Sequence, residues 1–118
     1  MNALLALSAA AEAATGLVVL AFPDFVVKLL FGAELTGVAI PLARVAGASL
    51  IALGVACWPR EGTMQALAAM LAYSVPMTLY LVFLGVEDVW VGSLLWPAAA
   101  VHGILTCLLL RALLNGRK

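Results

Sequence analysis

The 118-residue chain is 66% hydrophobic and 10% charged, and its six basic and six acidic residues leave no formal net charge. Its mean hydropathy is +1.19, whereas soluble domains are roughly half apolar, so water is the wrong solvent for it. There is no basic run to give the electrostatic footprint of a nucleic-acid binder, which excludes that class of partner.

The apolar residues come in stretches of about 20, the length that crosses a hydrocarbon core of ~30 Å. They predict one integral membrane domain over residues 1–118, an all-α, four-transmembrane-helix antiparallel bundle. The first span is expected from Ala3 to Phe22 and stops at Pro23-Asp24, because proline lacks an N–H and disfavours helix in the residue before it. The stretch Met1 to Phe22 has no basic leader and no small-residue cleavage site before a polar mature domain, so it reads as a retained span.

Between Pro23 and Gly32, Phe25, Val26, Leu29 and Leu30 recur at helical spacing while Asp24 and Lys28 share the opposite side. That pattern predicts a short interfacial helix between spans one and two. Span two is expected from Thr36 to Trp58, with Pro41 tolerable in its first turn and Trp58 at the level of an aromatic belt. It closes at the polar turn Pro59-Arg60-Glu61-Gly62. Span three runs from Thr63 to Leu84 and carries Pro76 internally, which should bend it. After the break Gly85 to Asp88, span four runs from Val89 to Leu113, with Pro97 as a second candidate bend. Short connections make neighbouring spans antiparallel.

Four spans place Arg60, Arg111, Arg117 and Lys118 on one side and Lys28 near the other, while Glu87 and Asp88 lie in a loop with no basic residue. By the positive-inside rule both termini are then cytoplasmic.

A charged side chain near the middle of a span costs ~2.5–3.5 kcal/mol on insertion scales, so each one needs a partner or a task. Glu12 and Arg44 are the two such residues. At ~1.5 Å per residue both fall near the midplane, Glu12 at ~14 Å and Arg44 at ~18 Å from the cytoplasmic face. Small residues flank both, Ser8, Thr15 and Gly16 on one helix and Gly47 and Ala48 on the other, which lets the backbones approach. The expectation is a Glu12–Arg44 ion pair. One carboxylate cannot satisfy the five donors of a guanidinium, so Ser8, Thr15, Ser49 or a ligand should supply further acceptors.

The same depth count brings in Tyr73 on span three and His102 on span four, each within roughly one turn of the pair. Small neighbours such as Ala69, Ala98 and Ala99 leave space beside them. Glu12, Arg44, Tyr73 and His102 thus form one polar layer, read either as a structural clamp with satisfied interior Tyr and His or as a ligand or proton site. A single histidine argues against haem, and Cys57 and Cys107, far apart and without a C-x-x-C, read as two core thiols; no metal is expected and no cofactor is indicated.

The runs Glu12-Ala13-Ala14-Thr15-Gly16, Phe22-Pro23, Leu29-Leu30-Phe31-Gly32 and Ala43-Arg44-Val45-Ala46-Gly47-Ala48, followed by Gly54, resemble the DoxX-like small four-helix bacterial membrane proteins. The likeness covers roughly the first half; the second half matches in hydropathy alone. It implies a bacterial inner membrane and, for some members, partnership with membrane redox systems, and it carries over no catalytic residue. Two functions follow from the sequence. The first is a bundle whose midplane pocket binds a lipophilic small molecule, a quinone or isoprenoid-like lipid, or which packs as an accessory subunit of a larger membrane complex. The second is a membrane-embedded enzyme using His102 or Glu12 in acid–base chemistry on a lipid-soluble substrate, with Arg44 holding an oxygen.

Overall fold

A computed structural model describes residues 2–61 and 63–116. Those residues form five helices and no strand: α1 (Asn2–Ala21), α2 (Pro23–Phe31), α3 (Ala39–Ala56), α4 (Thr63–Glu87) and α5 (Leu95–Gly116). Gly62 of the polar turn and the basic residues Arg117 and Lys118 lie outside the described residues.

Four of the five, α1, α3, α4 and α5, are long and apolar enough to cross a membrane. Their outward faces are apolar as well: Leu17, Leu42, Leu79 and Ile104 are all more than half exposed. A water-soluble fold does not leave so many large aliphatic side chains on every helix without a partner, so the surface is that of a multi-pass membrane protein.

Each boundary has a local cause. Pro23 occupies the first turn of α2, where its missing N–H is not needed, and α2 ends at Gly32, whose φ of 66° allows its N–H to close on the Lys28 carbonyl. The segment to Gly37, at φ 59°, is non-helical, so α3 starts at Ala39 and not at Thr36. Helix α4 continues through Gly85 to Glu87, beyond the expected Leu84, and breaks at Asp88, which sits at φ 55°. Helix α5 begins only at Leu95, because the amides of Gly92 and Leu94 donate instead to the α2 carbonyls of Leu30 and Leu29, both at 2.8 Å. This displaces Pro97 from a helix interior into the first turn of α5, where its missing N–H costs no intrahelical hydrogen bond. Pro76 does lie inside α4.

The helices associate as two tight pairs, α1 with α3 and α4 with α5. Glycines make the first pair. A Cβ on Gly47 would stand 2.7 Å from the Gly16 carbonyl oxygen and from the Leu20 nitrogen, and one on Gly54 would stand 2.5 Å from the Ala9 carbonyl oxygen. The two backbones therefore touch, which is how membrane helices gain packing without a hydrophobic driving force between them. In the second pair the Thr78 and Thr106 hydroxyl oxygens approach to 3.2 Å, and the single proton of each can go either to its partner or to a carbonyl one turn back in its own helix.

Two apolar clusters form; the first joins the two pairs, and the second lies between α4 and α5. Leu5, Ala9, Cys57, Leu67, Met70, Leu71 and Leu109 form one. At the other end Leu81, Leu84, Leu95 and Ala99 form the second, with Phe31 of α2 packed on it. Between these clusters the pairs stand apart, and a cavity opens.

Candidate functional site

The cavity has a volume of about 440 Å³ and takes lining from all five helices. Its walls are aliphatic and aromatic, among them Val19, Leu30, Phe31, Leu50 and Leu81. Its polar lining is Glu12, Thr15, Tyr73 and His102. Thr15, Pro97 and Val101 are both lining residues and exposed, so the cavity opens on the flank where α1 and α5 present them.

Glu12 lies in the middle of α1, ~15 Å from its start by rise per residue, and is only 6% exposed. Its partner is His102 of α5: Nε2 stands 3.5 Å from Glu12 Oε1. The other ring nitrogen fixes the tautomer. His102 Nδ1 lies 3.0 Å from the Ala98 carbonyl oxygen, which can only accept, so Nδ1 carries a hydrogen. Nε2 and Oε1 then face each other as the site for one further proton, and with it the pair is neutral acid and imidazole or carboxylate and imidazolium. Either way the pair has no net charge, which is the arrangement that keeps two ionisable groups tolerable inside a membrane. Tyr73 of α4 completes the group; its ring is tilted against that of His102 with centroids 6.5 Å apart, and its hydroxyl neighbours the Glu12 carboxyl.

The structure thus brings together Glu12, Tyr73 and His102 and leaves Arg44 out. Arg44 is exposed on α3, has no carboxylate within ion-pair distance among the described residues, and does not line the cavity. The expected Glu12–Arg44 pair is replaced by Glu12–His102 for two reasons. The late start of α3 puts Arg44 in the second turn, only ~7.5 Å from the helix end, and a helical side chain slants further toward the N-terminus. In addition, α1 has two packed stripes roughly 90° apart at 3.6 residues per turn. Ala9, Ala13, Gly16 and Leu20 meet α3, whereas Leu5, Glu12, Thr15 and Val19 face the first apolar cluster and the cavity.

None of the acceptors expected for Arg44 bonds to it among the described residues. Thr15 and Ser49 donate to carbonyls in their own helices, Ala11 at 2.8 Å and Val45 at 2.9 Å. Ser8, 1% exposed, has no hydrogen-bond partner for its hydroxyl. The cysteines also part company: Cys57 is buried, but Cys107 faces outward and is not a core thiol. Nothing in the sequence reading singled out Thr78, although its spacing from Ser74 and from Tyr73 places it one turn along the same helix.

If Arg44 is energetically separate from Glu12, Arg44→Gln should change stability in detergent by no more than about 1 kcal/mol. Its double-mutant coupling to Glu12→Gln should stay within about 0.5 kcal/mol. Coupling several times larger would restore the ion pair.

No protein-family model, no curated protein and no solved structure matches the chain.

Proposed function

We propose that this is a small membrane-embedded binding protein whose midplane cavity holds a lipophilic small molecule, a quinone or isoprenoid-like lipid, against the Glu12–His102 pair. The observation that carries the reading is the cavity itself: apolar walls with Tyr73, Glu12 and His102 gathered at one place in its lining. Sites for apolar ligands have this form, a greasy enclosure with a few convergent polar groups that fix orientation. Buried ionisable groups inside a span are costly enough that a cavity beside them points to use.

In this reading the four long helices cross the bilayer as an antiparallel bundle. The order of contacts supports that direction, since Gly54 meets Ala9 while Gly47 meets Gly16, and Gly85 meets Trp96 while Thr78 meets Thr106. Trp58 lies near one end and Trp90 and Trp96 near the other, all exposed, as interfacial belts require. Helix α2, with Phe22 and Phe25 exposed and Lys28 paired to Glu34 at 3.4 Å, rests at the outer interface. Both termini are cytoplasmic on the basic residues Arg60 and Arg111. The DoxX-like resemblance of the first half is in keeping with a bacterial inner membrane.

The same cavity also suits a subunit that carries such a ligand for a larger membrane complex. A membrane-embedded enzyme using Glu12 and His102 as acid and base is the second reading, favoured by the position of that pair in the cavity wall; Arg44, being outside, has no part in it. The test is to purify the protein in mild detergent, extract it and identify retained lipids by mass spectrometry. A single class of lipophile, held in near-stoichiometric amount and lost from a Val101→Trp variant that fills the opening, is the expected result. A folded protein that retains only bulk phospholipid would reject the cavity as a binding site.

A further inference from the structure

Resting on that reading and narrowing it to isoprenoid-like alcohols, since an oxidised quinone offers acceptors alone, we propose that the cavity selects an uncharged, hydroxyl-bearing head group and discriminates against anionic, cationic and acceptor-only heads on the same apolar tail. Charge makes the first distinction. No lysine or arginine lines the cavity. Arg44 is exposed elsewhere, Lys28 is engaged with Glu34, and Arg60 and Arg111 border other surface depressions. With Nδ1–H committed to Ala98, one proton between Nε2 and Oε1 makes the Glu12–His102 pair neutral as a unit. A phosphate, carboxylate or ammonium head would therefore leave a net charge in a low-dielectric enclosure unless the pair took up or expelled a proton as it bound.

Hydrogen-bond stoichiometry then separates the neutral heads. The Thr15 hydroxyl proton is held by Ala11, so its oxygen can only accept. The pair's one proton lies between its members, which leaves the second Glu12 carboxyl oxygen as an acceptor. Tyr73 brings the one lining hydroxyl whose proton is not already held, and it can donate or accept. Acceptors outnumber free donors around the cavity, so an incoming hydroxyl makes a hydrogen bond that an ether cannot make. A polar site built with such an imbalance rejects the analogue that lacks the matching group.

The experiment measures equilibrium binding of four probes with one tail, farnesol, farnesyl methyl ether, farnesyl phosphate and farnesylamine, to the protein in phosphatidylcholine nanodiscs at neutral pH. Farnesol should bind at least on the order of tenfold more tightly than each of the others, the contribution of one hydrogen bond to a strongly polar acceptor. Phosphate or amine binding as well as farnesol overturns the selection by charge, and ether binding as well as farnesol overturns the selection for a donor. Binding of no probe, with no lipid retained on purification, rejects the cavity as a ligand site and this selectivity with it; binding in the wrong order rejects the selectivity alone.

Discussion

Gly47→Ala should be among the most damaging single-methyl additions to this protein, lowering its unfolding free energy in detergent by about 2–3 kcal/mol. The added methyl would sit 2.7 Å from the Gly16 carbonyl oxygen and from the Leu20 nitrogen. Both are backbone atoms of α1, so no rotamer change can make room, and the two helices must separate. Overpacking a close interface typically costs about 1–3 kcal/mol, and an obstacle of fixed backbone puts this case at the upper end. Part of the loss is offset, because alanine is the better helix former by about 1 kcal/mol. Gly103→Ala is the internal control. Its new methyl would meet only Thr78 Cγ2 at 3.7 Å, an ordinary contact, so the helix-propensity gain should leave it neutral or slightly more stable. Denaturant titration of both variants in the same micelle checks the contrast, and equal losses would mean that α1 and α3 do not meet at Gly16 and Gly47.

His102→Phe should cost about 3 kcal/mol, near the lower end of the range for removing one member of a buried pair. The phenyl ring fills the space of the imidazole but leaves Glu12, 6% exposed, without its partner. Protonating Glu12 recovers only part of the loss, since a neutral carboxylic acid still needs somewhere to donate. Glu12→Gln should be much milder, about 1 kcal/mol or less. With Nδ1–H held by Ala98, a neutral His102 presents Nε2 as an acceptor, and the glutamine amide can donate to it. Unfolding both variants in the same detergent measures the difference. Comparable losses would show that the pair is held as carboxylate and imidazolium, and not as neutral acid and imidazole. Combining the substitutions should give less than the sum of the separate effects, because the residues touch.

How much of this was legible beforehand depends on which physical quantity each feature records. Span number, the short α2 and its end at Gly32 follow from local chemistry, namely runs of apolar residues, a proline in a first turn and a glycine able to take φ 66°. The depth of Glu12, Tyr73 and His102 follows as well, because helical rise converts residue count directly into distance. Azimuth does not. The long helices are apolar nearly all round, so nothing in the sequence says that Ala9, Ala13 and Gly16 turn toward α3 while Glu12 turns roughly a quarter turn away. Nor does it say that the amides of Gly92 and Leu94 bind α2 and so delay the start of α5. The sequence by itself determined that one ionisable group on α1 and a histidine on α5 lie at similar depth. Only the tertiary structure decided that they meet in the wall of a cavity while Arg44 points outward, because partner choice rests on backbone contact between glycines of distant helices.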